Sequence, residues 1–149
     1  MSAQFTLGEM YYNGSGVARD LAQAAFWFFK AQAVAAALFR LGAIIAEGTV
    51  VPREFGHPLD LWRSSANKGY AEAQYALGLS YGYASTSVWE DYVEAYKWLS
   101  LALSRASAEN QKRYAEARDE MAKQMTPAQL AEAQKLAREW IAEFEKQKE

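Results

Sequence analysis

The chain has 149 residues, of which 51% are hydrophobic and 14% aromatic, with a formal net charge of −2 and no cysteine. That balance is far from a disordered chain's and long enough for a continuous core. The charge withholds the basic footprint that nucleic acid needs, the missing cysteines remove disulfides and thiol chemistry, and Arg40 and Glu47 break up the best apolar stretch, Ala31–Val51, before it reaches the ~18 residues of a membrane span.

The start, Met1-Ser2-Ala3-Gln4, has neither a basic region nor a long apolar run, so it shows no export signal. If Met1 is the native start the expected compartment is the cytoplasm; if a leader or further repeats once preceded it, an exported or periplasmic location is open.

Ala3, Leu7 and Tyr11 stand at i, i+4 and i+8, one stripe of a helix, and Gly14-Ser15-Gly16 ends it. Asp20 then offers an acceptor to the free amides of a second helix carrying Ala24-x-x-Trp27-x-x-x-Ala31. The same group returns as Ala37, Leu41 and Gly42, a turn-forming stretch from Gly48 to Pro58, and Leu59-x-x-Trp62-x-x-x-Ala66. It returns again as Ala73, Leu77, Gly78 and Tyr81, a Ser85-Thr86-Ser87 turn, and Asp91 before Ala95-x-x-Trp98-x-x-x-Ala102. The Leu-Gly pair recurs after 34 and then 36 residues, and a Trp follows each Leu by 20 or 21. A period of this size predicts stacked helix pairs. Glycine inside a helix costs about 1 kcal/mol relative to alanine, so Gly8, Gly42 and Gly78 are expected to admit the second helix of each pair closely, with its Trp covering the gap.

From Ser107 onward charges of both signs alternate with Ala, Leu, Met and Trp140, predicting helices over 107–123 and 127–147. Thr126 as N-cap, Pro127 at the first helical position and Gln129 form a capping box. Tyr114, Ala117 and Met121, then Leu130, Ala133, Ala137, Trp140, Ile141 and Phe144, supply apolar stripes, and the polar outer face suits the cap of a repeat array. The alternative for 127–147 is a coiled-coil or partner-binding arm.

Ala-x-x-x-Leu-Gly-x-x-Tyr, a Gly-rich turn with Asp, then Ala-x-x-Trp-x-x-x-Ala resembles the Sel-one-like repeat, a relative of the tetratricopeptide repeat, over residues 3–106. The tail from Met125 to Trp140 is similar to the closing helix found after such arrays in bacterial proteins. The sequence departs from the pattern at Val34, where the second copy has Gly69; at Ala84, where the first two have Gly14 and Gly48; and at Phe55, which replaces the helix-opening Asp. Loops two and three each carry one extra residue. The resemblance implies an all-α fold, a right-handed α-solenoid of three antiparallel helix pairs (an α/α superhelix) with a two-helix C-terminal cap. One domain over 1–149 would hold repeats at 3–36, 37–72 and 73–106 and a cap at 107–149. It further implies a non-enzymatic, bacterial scaffold for a protein or peptide partner, with a toxin-neutralising binding protein or a self-associating structural unit as alternatives. The absence of cysteine separates the chain from the disulfide-clipped secreted branch of that family.

Catalytic motifs are weak. Ser65-Ala66-Asn67-Lys68 matches the Ser-x-x-Lys of penicillin-recognising enzymes, but no Ser-Asp-Asn or Lys-Thr-Gly accompanies it and it falls at a helix end. His57, the only histidine, lies between Gly56 and Pro58 and reads as a loop residue without a metal or triad partner. Gly14-Ser15-Gly16 follows a helix rather than a strand, so it is a turn and not a phosphate cradle. Glu90, Asp91 and Glu94 are explained by the helix start they occupy. No catalytic residue, cofactor or metal is expected.

Recognition is left to surfaces. In stacked pairs the first helices line the inner face, which selects Thr6, Glu9 and Asn13; Arg40, Ala43 and Glu47; and Ala76, Leu79 and Tyr83, with Tyr12 and Tyr83 as aromatic anchors. The alternative is that these positions are simply solvated and the partner sits elsewhere. A second patch comes from Phe26 and Phe29, which stand where later repeats carry Leu61 and Lys97, and Ser64 and Ser100. A helix apolar nearly all round needs cover on more than one side. A homodimer partner, a preceding repeat, the residues Met1–Phe5, or a long side chain from the next unit could supply it.

Overall fold

The computed structural model describes residues 2–83 and 91–148, and among them every regular element is helical. The Ser85-Thr86-Ser87 turn, Ala84 and Glu90 lie outside the described residues. The chain divides into two compact units between Tyr70 and Ala71.

The first unit holds α1 (Ala3–Asn13), α2 (Leu21–Lys30), α3 (Ala35–Ala46), a 3-10 turn (Arg53–Phe55) and α4 (Pro58–Asn67). Its helix ends follow from local chemistry. Ser2 accepts the Phe5 amide at 3.3 Å, and Asp20 accepts the Gln23 amide at 3.1 Å, each satisfying an amide that a helix start leaves free. Gly14 closes α1 in the left-handed region at φ 72°, its N–H bonding the Met10 carbonyl, a conformation that glycine adopts without steric penalty. α1 packs on α2, α2 on α3 and α3 on α4. Ala24, Ala25, Phe28, Ala37, Leu41 and Ile44 form the core, sealed by Phe55.

Two residues of this unit depart from expectation. Phe55 does not open α4 in place of an aspartate: it sits in the 3-10 turn, buried, with its ring stacked on Phe29 at 4.4 Å and 12°. His57 is more than a loop residue. It is the N-cap of α4, and its Nδ1 accepts the Leu59 amide at 3.2 Å while Pro58 takes the first helical position.

The second unit holds α5 (Ala71–Gly82), α6 (Tyr92–Arg105), α7 (Ala108–Ala122) and α8 (Pro127–Gln147). Asp91 caps α6 through the Glu94 amide at 3.0 Å. Thr126 and Gln129 form the expected capping box, with reciprocal bonds of 3.1 and 2.9 Å. α5, α7 and α8 all pack on α6. α8 buries only Ala133 and Ala137, small residues one turn apart that let its backbone approach; Trp140 meets Trp98 edge-on at 6.0 Å.

The close approach expected at the three glycines is present, but its agent differs. An ideal Cβ on Gly8 would stand 2.6 Å from the Phe28 ring, one on Gly42 2.5 Å from Trp62 Nε1, and one on Gly78 2.8 Å from Leu99 Cγ. Tryptophan therefore covers the gap in the second repeat alone. The residue after each Trp supplies the reason: it is Phe28 in the first repeat and Leu99 in the third, apolar side chains that turn into the gap. In the second it is Arg63, which stays at the surface beside Asp60, so Trp62 takes its place and donates Nε1–H to the Phe39 carbonyl at 3.3 Å. Trp27 lies half-buried, edge-on to Phe26 at 5.2 Å. Gly82 is a fourth glycine of this kind, since a Cβ there would collide with the Met121 thioether of α7.

Candidate functional site

Three of the residues expected on the inner face converge in the first unit. Glu9 on α1 forms an ion pair with Arg40 on α3, its Oε1 meeting Nε, and the Arg40 guanidinium lies over the Tyr12 ring, 5.1 Å from its centre. The i, i+3 spacing of Glu9 and Tyr12 puts both on one side of α1. The pair is about two-thirds covered, so screening is incomplete, yet enough water reaches it that positioning matters more than net energy.

A fourth residue joins them from the α1–α2 connection. Arg19 donates Nε–H to the Tyr12 carbonyl at 3.0 Å, and its guanidinium carbon stands 5.9 Å from the Tyr12 ring centre. Gly14 permits this return of the chain, since an ideal Cβ there would lie 3.3 Å from Arg19 Cβ. Tyr12 thus carries two cations, each within cation–π range. Arg19 is absent from the sequence-derived set. The signal was available: counting back eight positions from each Trp, Arg19 aligns with Glu54 and Glu90, a reversal of charge in one repeat of three.

The remaining positions expected on that face do not join this group. The Thr6 hydroxyl donates to the Ser2 carbonyl at 3.2 Å, Asn13 is exposed, Ala43 is half-buried, and Glu47 is the exposed C-cap of α3. In the second unit the Ala76 carbonyl accepts from the Ser80 hydroxyl at 2.9 Å. Leu79 packs against Ala95, Leu99 and Met121, which directs it to its own core, and Tyr83 is 61% exposed just beyond α5.

The aromatic patch on α2 is split. Phe29 is consumed by its stack on Phe55, so a side chain from the next repeat supplies its cover. Phe26 is left 39% exposed, edge-on to Trp27, with Lys30 Nζ 5.4 Å from its ring centre.

Ser65 is fully buried, and its hydroxyl donates to the Ala35 carbonyl at 2.7 Å, while Lys68 is the exposed C-cap of α4. A serine with its proton committed to a helix carbonyl and no solvent access is not presented to a substrate. Among the described residues no three His, Asp or Glu side chains gather as a metal site would require, and no helix is long and apolar enough to cross a membrane. An open apolar depression lies beside the α3–α4 connection, lined by Ile45, Val51, Pro52 and Pro58. In the second unit burial pushes the Tyr114 phenol above its ordinary pKa, with the Arg113 guanidinium opposing the shift.

The class these observations define is an all-α helical-repeat protein. A model of the Sel1 repeat matches residues 2–31, 35–70 and 71–107, and the chain belongs to the Sel1 repeat family. Its fold is similar to that of c5321, a protective antigen present in uropathogenic Escherichia coli strains displaying an SLR fold. The TM-score is 0.62 at 25% identity, over 95% of this chain and 38% of that one, so the chain spans 38% of the length of c5321. It is also similar to a Sel1 repeat protein from Oxalobacter formigenes, with a TM-score of 0.60 at 28% identity over 76% of this chain and 86% of that one. No curated protein matches the sequence. Sel1 repeat proteins are in general scaffolds for protein interaction.

Proposed function

We propose that the chain is a non-enzymatic binding scaffold whose α1–α3 face in the first unit receives a protein or peptide segment. The observation that carries this reading is the Glu9–Arg40 pair, which holds the guanidinium against Tyr12 before any partner arrives. Aromatic and Arg side chains supply most interface energy, and fixing them in advance removes part of the ordering cost of association. Thr6, Asn13, Ala43 and Glu47 would form the margin of that face. Tyr83 is the corresponding aromatic candidate of the second unit, and Leu79 contributes through packing rather than contact. Self-association through α2 would rest on Phe26 alone, because Phe29 is already covered.

The test uses peptides selected from a random display library on the whole chain. Arg40→Gln should weaken the selected peptides at least about tenfold, the loss expected when a charged hydrogen bond is removed from an interface, with helicity retained by circular dichroism. Peptides that bind both proteins equally would place the interaction elsewhere.

A further inference from the structure

Around Tyr12 the charges are accounted for, with one exception. Glu9 is taken by Arg40, and Asp20, next to Arg19 in the chain, is taken by the Gln23 amide. Arg19 itself forms no carboxylate ion pair among the described residues. One of its five N–H donors is used on the Tyr12 carbonyl, and the side chain is exposed. It is therefore held at Nε by the carbonyl, with its guanidinium carbon 5.9 Å from the Tyr12 ring centre, while the Nη edge keeps its donors.

Resting on the binding face proposed above, we propose that the Nη edge of Arg19, held over Tyr12, is the docking point for a single carboxylate side chain of the partner protein. The planar fork of a guanidinium matches a carboxylate with two parallel hydrogen bonds, and an Arg already oriented loses less rotamer freedom on making them. A polyphosphate partner is the poorer fit. The chain carries a net charge of −2, and the neighbouring guanidinium of Arg40 is neutralised by Glu9, so no multivalent basic field surrounds the site. The alignment of Arg19 with Glu54 and Glu90 makes the subsite particular to the first repeat.

The tightest peptide selected on the whole chain is resynthesised with its Asp and Glu residues as Asn and Gln. Both forms are titrated by calorimetry against the wild type and against Arg19→Gln, whose amide can still donate to the Tyr12 carbonyl. The amide form should bind the wild type roughly tenfold more weakly and should bind Arg19→Gln no more weakly than the acidic form does. Arg19→Lys, which keeps the charge but not the fork, should lose part of the discrimination. An equal loss on both proteins, or none on the wild type, would overturn the proposal while leaving the binding face intact if Arg40→Gln still weakens the peptides. Tighter binding of a phosphoserine analogue than of the acidic peptide would also overturn it. Failure to select any peptide would remove both.

Discussion

Ser65 donates its hydroxyl to the carbonyl of Ala35 at 2.7 Å, a bond that ties the end of α4 to the beginning of α3 across the helix pair. Ser65→Ala should lower stability by about 1–2 kcal/mol, the loss of one buried hydrogen bond, measurable as a reduced chemical-denaturation midpoint. Incubation with a reactive β-lactam should leave the intact mass unchanged, because the hydroxyl reaches no solvent; an acyl adduct on Ser65 would contradict the burial.

The unequal roles of the tryptophans give a second expectation. Trp62 fills the space over Gly42, whereas Phe28 does so over Gly8. Trp62→Ala and Phe28→Ala should each cost about 3–5 kcal/mol, and Trp27→Ala, which leaves the Gly8 contact intact, should cost less. Gly42→Ala should also destabilise, by roughly 1–3 kcal/mol, since overpacking against the indole exceeds the gain in helix propensity. Thermal melts of the four variants order these effects.

Phe26 and Phe29 should separate cleanly. Phe29→Ser removes the stack of this partly buried ring on Phe55 and should cost about 3 kcal/mol, the low end of the range for deleting a large core side chain. Phe26→Ser should leave the melting temperature nearly unchanged. If α2 mediates self-association, Phe26→Ser is the variant whose sedimentation mass should fall to the monomer's.

Tyr114 sets an alkaline limit. Its ring is buried and stacked on Tyr75 at 4.3 Å; burial penalises the phenolate by more than the Arg113 guanidinium stabilises it, so the O–H stays protonated when the same phenol in the unfolded chain has ionised. Above about pH 10 the unfolded state therefore releases a proton that the folded state retains, and stability falls as pH rises. Tyr114→Phe should flatten this part of the profile. Spectrophotometric titration should show one fewer late-ionising phenol in that variant.

The cap at His57 can be improved. The imidazole Nδ1 accepts the Leu59 amide, but aspartate caps α2 and α6 and brings a negative charge to a helix start. His57→Asp should raise stability by about 0.5–1 kcal/mol, seen as a higher melting temperature.

Much of the helical framework was legible because repetition averages out local ambiguity: Leu7, Leu41 and Leu77 corroborate one another, and Thr126-Pro127 with Gln129 marks a helix start by its own chemistry. What escaped was set by single residues that break the repeat. Arg63 displaces its neighbour's duty onto Trp62, and Phe55 leaves helix register to fill a hole that only the folded α2 creates. Glu9, Tyr12 and Arg40 were legible as neighbours on the first helices of successive repeats, whereas Arg19 reaches Tyr12 only because Gly14 turns the chain back on itself, a relation that periodicity does not encode.

The Phe29–Phe55 stack also limits how this chain can be rearranged. A loop of the second repeat lends a ring to the first, so neither is a self-sufficient cassette: excising or transplanting one would leave a greasy stump on each side of the cut, and evolution by duplication or loss of units would have to rewrite both positions together.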